Sequence, residues 1–189
     1  MLLEDYLKDL IVRFRGISDS QEQRLRCFHR YEVQVEGWLK GELLYFLHEE
    51  KGAGRIMHFD REVSVGPTRK KVDLKIEIPT DSGTLEAWIE LKHWLIGPQK
   101  GTHYNAQFYF RESGSVGIKP DAEKLSRITN GSKLLLILAT TNPGVDDWSA
   151  GVSEFNSKFS PLHLKSLTSP SDYPDYYYLG FLEVTRPQA

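Results

Sequence analysis

A chain of 189 residues, 40% apolar and 26% charged, has the length and composition of one globular domain with a sizeable core. Its formal net charge of −2 excludes a uniformly basic nucleic-acid coat and leaves room for a local basic groove. The single cysteine, Cys27, excludes an internal disulfide; no apolar run reaches the length of a membrane span, and the early acids Glu4, Asp5 and Asp9 are unlike a signal peptide, so a cytoplasmic protein with no membrane partner is expected.

Leu2, Leu3, Tyr6, Leu7, Leu10, Ile11 and Phe14 recur at helical spacing and predict an amphipathic helix over 2–15, broken by Gly16 to Ser20. Such a helix caps the core or, as the alternative, forms the interface of a homodimer. A second helical pattern covers about 21–50, weakened locally by Gly37 and Gly41. Strand-like runs follow at about 55–65, 71–78 and 86–95, separated by Gly66-Pro67 and by Pro79 to Gly83. Gly97-Pro98 and the glycines at 101, 114 and 117 mark loops around a short helix near Tyr104–Arg111. Asp121 reads as the N-cap of a helix that stops at Gly131. Lys133 to Ala139 is then a nearly continuous apolar run, the signature of a strand buried on both faces. A helix over 146–159 and a strand over 176–184, with Tyr176, Tyr177 and Tyr178 alternating across it, close the chain. The expected fold class is α/β: a mixed central β-sheet flanked by helices, in which a helical crossover makes the third and fourth strands parallel. One domain is expected over 1–189, with a helical extension over 1–31, a core over 32–140 and a C-terminal helix and strand over 141–189.

Three charged residues sit inside the apolar strands. Alternation puts Asp73, Lys75 and Glu77 on one face of the second strand, and Trp88, Glu90, Lys92 and Trp94 on one face of the third. A two-residue loop at Asp81-Ser82 pairs Asp73 with Glu90; a loop at Ser82-Gly83 pairs it with Lys92. Either register gathers Asp73, Glu90 and Lys92, and a three-residue loop separates them. Two carboxylates and an ammonium are costly in such a place unless they are paired or hold a metal.

Lys71-Val72-Asp73-Leu74 followed by Glu90-Leu91-Lys92 resembles the PD-(D/E)XK nuclease superfamily, with Val72 where the name has Pro. The resemblance covers about residues 32–140 in element order and implies a restriction-endonuclease-like core. It implies Mg2+, with Mn2+ as a substitute, held by Asp73, Glu90 and the Leu91 carbonyl, and Lys92 as a water-positioning group that acts mainly as an electrostatic stabiliser. It also implies a glutamate on the helix before the first strand. There Glu36 shares the face of Leu39, Leu43 and Leu47 while Glu42 lies a quarter turn away, so Glu36 is favoured. Arg69, Lys70 and Lys71 are candidate phosphate contacts, and Lys124 either approaches the substrate backbone or is a surface lysine. The Gln-x-x-x-Tyr motif of the recombination branch is missing, since Gln107 is followed four residues on by Arg111. The implied activity is metal-dependent hydrolysis of DNA; the alternatives are an inactive nuclease-like module that binds nucleic acid or protein, and an assembly protein that dimerises through its first helix.

An acidic-x-Lys triplet alone says little. Glu49-Glu50-Lys51 is a chance match on a helix end, and Asp60 with Asp73-Leu74-Lys75 is a rival register one hairpin earlier. The later register is preferred because Glu90-Leu91-Lys92 directly precedes the crossover. The histidines show no zinc spacing, and His93 points away from Glu90 by parity.

Overall fold

The computed structural model describes residues 3–66, 70–81, 83–99 and 102–186. Three helices lead: α1 (Leu3–Ser20), α2 (Glu22–Tyr31) and α3 (Glu36–Gly52). Strands β1 (His58–Ser64), β2 (Lys71–Thr80) and β3 (Gly83–Leu95) follow, then a small hairpin of β4 (Gly97–Gln99) and β5 (Thr102–Tyr104). Helices α4 (Ala106–Arg111) and α5 (Lys119–Leu125) lead to β6 (Ser132–Thr140). The chain ends with α6 (Val145–Lys158), β7 (His163–Ser166) and β8 (Tyr178–Thr185). Six strands form one sheet in the order β1-β2-β3-β6-β8-β7. β3 and β6 run parallel and the other neighbours antiparallel, so the sheet is mixed and the crossover falls where the sequence puts it.

Several boundaries differ from expectation. α1 continues through Gly16 to Ser20, since a lone exposed glycine costs only about 1 kcal/mol and the following Ile17 and Ser18 still pack inward. The pattern over 21–50 is two helices: Glu32 adopts a left-handed φ of 50° that ends α2, and buried Val35 precedes α3. Asp121 is inside α5 rather than at its N-cap, because the helix starts at Lys119 with Pro120 in its first turn. α5 stops at Leu125, short of Gly131. Gly131 instead serves the sheet. At φ +73°, a Cβ there would lie 2.5 Å from the Glu86 carbonyl oxygen, so only glycine lets β6 start against β3. The β4–β5 hairpin and β7 are too short for their periodicity to show. Only Tyr178 of the three tyrosines lies in β8, and all three are buried.

Adjacent strand residues show how the layers sit. His93 and Trp94 point to opposite faces. His93 Nδ1 is 2.9 Å from Gln34 Oε1, just before α3, and Nε2 is 3.0 Å from Thr140 Oγ1. Burial pushes this imidazole down to about 4, so it is neutral at pH 7. Trp94 stacks at 4.8 Å on Tyr109 of α4 and lies 5.9 Å from Trp148 of α6. The α1–α3 side and the α4–α6 side thus cover opposite faces of β3. Among the described residues no helix is long and apolar enough to cross a membrane.

Glu50, part of the triplet read as a chance match, is a structural tie. Its carboxylate is 2% exposed and accepts hydrogen bonds from Arg13 Nη2 at 2.9 Å and from Arg55 Nε and Nη2 at 2.9 and 2.7 Å, which joins α1, α3 and the turn into β1. Burial by itself would raise this carboxyl, but Arg55 and Arg13 outweigh it and hold it below the usual range. Glu50→Ala is expected to lower unfolding free energy by about 3 kcal/mol in a urea titration, since it leaves two guanidinium groups without their shared partner.

Candidate active site

β2 and β3 pair from Thr80↔Gly83 back to Leu74↔Ile89, the register of a two-residue loop at Asp81-Ser82. The ladder stops there, although β2 begins three residues earlier at Lys71 and β3 runs on to Leu95. The strands therefore fork, and Asp73 is the first residue of β2 beyond the last pair. Its Oδ2 accepts the Leu91 N–H at 3.0 Å, so a side chain continues what the backbone ladder has ceased to do. The N–H and C=O of one strand residue face the same edge, so the Leu91 carbonyl also faces the fork.

Alternation along β3 sends Glu90 and Lys92 toward α5. Glu90 is 4% exposed, and its Oε1 lies 2.6 Å from Lys124 Nζ, a close ion pair without hydrogen-bond alignment. Lys124 also donates to the Lys71 carbonyl at 3.0 Å and lies 3.4 Å from Asp121 Oδ1. Lys92 Nζ is 2.9 Å from Asp121 Oδ2 and 3.4 Å from the Ser115 carbonyl. Across the fork, Lys40 of α3 donates to Asp73 Oδ1 at 3.0 Å and to Glu62 Oε1 at 3.4 Å. Asp73, Glu90 and Asp121 thus each have a lysine partner at the fork, Lys40, Lys124 and Lys92 respectively.

This arrangement sets the protonation. Burial raises Glu90 to about 8, and the charges of Asp73 and Asp121 add to the rise while Lys124 opposes it. Burial would lower Lys92, but Asp121, then Glu36 and Glu90, outweigh it, so its ammonium is held above the ordinary value. A lysine so held stays protonated at neutral pH and acts through its charge. Glu36, exposed at the first position of α3, is near enough to take part in that field, whereas Glu42 pairs with Arg24 of α2 at 3.5 Å.

On the face set by the hairpin register, Asp73 acts on Glu90 and Glu90 on Lys92, and the Leu91 N–H bonds Asp73. The rival register sets Asp60 opposite Lys75 in the β1–β2 ladder, but the side chains take other partners: exposed Asp60 pairs with His58 at 3.0 Å, while Lys75 bonds Glu77 and Glu86. Lys71 lies 3.8 Å from Glu62, and Arg69 is outside the described residues. Sequence reasoning missed Lys40 and Asp121 as members and preferred a surface lysine for Lys124, which its 15% exposure overturns. The available signal was spacing: Asp121 and Lys124 are three apart on a crossover helix, and Lys40 is four after Glu36.

No group of three or more His, Cys, Asp or Glu side chains among the described residues is arranged to hold a metal ion. The fork instead supplies two carboxylates and one peptide oxygen. Mg2+ takes such a set, since it commonly binds one or two carboxylates and keeps several waters. In comparisons with protein-family models, curated proteins and solved structures the chain matches none, and the site stands on its own geometry.

A carboxyl raised from 4.5 to about 8 on folding gives stability that is complete below its unfolded pKa and lost as pH rises through its folded pKa. Metal-free protein is expected to lose stability between about pH 4.5 and 8 on this account, and Glu90→Gln to flatten that slope in urea titrations across the range. An unchanged slope would show that Glu90 is already ionised in the folded protein.

Proposed function

We propose that the fork is the active centre of a metal-dependent nuclease of the PD-(D/E)XK type, built on a restriction-endonuclease-like core and hydrolysing phosphodiester bonds in DNA. The observation that carries this reading is the Asp73 carboxylate bonded to the Leu91 peptide at the open end of the β2–β3 ladder, beside buried Glu90 and Lys92. The element order from α3 through β1, β2, β3 and the crossover to β6 supports it.

Asp73, Glu90 and the Leu91 carbonyl are the residues to hold Mg2+ or Mn2+, which when bound polarises the scissile phosphate and acidifies a water. The Leu91 N–H fixes one oxygen of Asp73 and so orients the other. Lys92, kept protonated and anchored by Asp121, meets the negative charge that develops on the phosphate and positions the attacking water. Glu36, whose charge acts on Lys92, would orient a water beside it. A second reading has one observation in its favour: Asp73 and Glu90 already face Lys40 and Lys124, as a self-satisfied charge network in a non-catalytic binding module requires.

Calorimetric titration with Mg2+ and a plasmid-cleavage assay separate the two. The nuclease reading expects saturable Mg2+ binding that Asp73→Ala and Glu90→Ala abolish. It also expects a loss of about 100–1000-fold in cleavage rate for Asp73→Ala, Glu90→Ala and Lys92→Ala, with Glu42→Ala close to wild type. Full cleavage by both Glu90→Ala and Lys92→Ala would place the site elsewhere, and absence of both binding and cleavage would favour the non-catalytic module.

A further inference from the structure

Helix α5 has two working sides. Asp121 and Lys124 face the fork; Lys119 and Glu123, with Arg127 just past the helix end, line a separate cleft. That cleft is about 390 Å³ and is also walled by Lys158, Phe159 and Arg186. It shares Ser126, Pro161 and Arg186 with a larger hollow of about 840 Å³, which runs on past Lys133 and Glu183. The two form one continuous trough under the start of β6 and the end of β8.

The charge of this trough is one-sided. Five basic residues line it, Lys119, Arg127, Lys133, Lys158 and Arg186, against Glu123 and Glu183. Both acids have local answers: Glu123 pairs with Lys119 at 3.1 Å, and Glu183 lies opposite Lys165 in the β7–β8 ladder. Arg127 and Arg186 are exposed and have no acidic partner among the described residues. Lys158 donates to the Arg111 carbonyl at 2.9 Å, which leaves its charge uncancelled. Lys119 and Lys158 both lie over the Phe159 ring, at 5.4 and 5.3 Å, so their ammonium groups are set at the trough wall. In a chain of net charge −2, this local excess of cations is a directed feature.

We infer that this trough is a second binding site, which holds the phosphodiester backbone of a nucleic-acid strand beside the fork. Lys119, Arg127, Lys158 and Arg186 wall the smaller cleft, and Arg186 and Lys133 carry positive charge on into the larger hollow, a run longer than one small anion spans and suited to successive phosphates. The trough and the fork are separated by the width of α5, about 10 Å, or roughly three base steps at a 3.4 Å rise. A strand lying across α5 therefore meets both. The inference rests on the proposed function for the fork's role but not for the trough's charge.

The test is the salt dependence of DNA binding, read by fluorescence anisotropy of a labelled duplex in EDTA, so that no cleavage occurs. Arg127→Ala/Arg186→Ala is expected to weaken binding and to reduce the slope of log K against log salt by about 2, while Arg30→Ala leaves the slope unchanged. Both arginines are exposed, and thermal melts that match wild type confirm the fold. Mg2+ calorimetry on the same double variant is expected to match wild type. An unchanged salt slope overturns the inference, whatever the Mg2+ result, and points to an acidic protein or another anion as the trough's partner. A reduced slope in a protein that binds no Mg2+ upholds the trough and overturns the nuclease reading.

Discussion

Burying the Glu90 carboxylate in the wall of the sheet is the constraint around which the site is arranged. At 4% exposure burial disfavours its charge, and only a cation at contact distance opposes that cost. Lys124 supplies one at 2.6 Å, and that requires α5 to cross β3 at this height. Lys124 in turn draws in Asp121, and Asp121 anchors Lys92. The protonation of the site follows from the same fact: burial raises Glu90 toward 8, while the surrounding carboxylates keep Lys92 charged.

The second requirement is an interrupted ladder. Two antiparallel strands paired along their whole length would leave no edge open for Asp73. Because pairing ends at Leu74↔Ile89, the Leu91 peptide turns to a carboxylate for its hydrogen bond. Lys40 then closes the fork from the α3 side. The scaffold that holds this open is rigid on both faces: Trp94 packs among Tyr109, Phe110 and Trp148 on one, and neutral His93 bridges Gln34 and Thr140 on the other. A polar site on a strand whose neighbours are locked in place keeps its geometry without support from a ligand.

Much of this was legible in the chain. The alternation in 71–78 and 86–95 set which residues share a face, and the turn residues limited the register to two choices. The helical face favoured Glu36 over Glu42, but Glu36 is exposed at the start of α3 and Glu42 half-buried beside Arg24, so that face did not foretell their burial. What was not legible involves contacts between elements distant in sequence. Asp121 looked like an N-cap because Asp is favoured there, yet Pro120 started the helix earlier and turned Asp121 toward Lys92. Glu50 looked like a stray match, yet Arg13, 37 residues away, shares it with Arg55. The break at Glu32 depends on one left-handed residue that helical periodicity does not register.

By itself the sequence determined the mixed α/β layout, the buried fourth strand and which face Asp73, Glu90 and Lys92 take on their strands, because these follow from local period. The tertiary structure alone decided where the β2–β3 ladder ends, which lysines neutralise which carboxylates, and that α5 separates the charged fork from a basic trough. Those depend on how helices from distant parts of the chain settle on the sheet, which is governed by packing and desolvation and not by any local pattern.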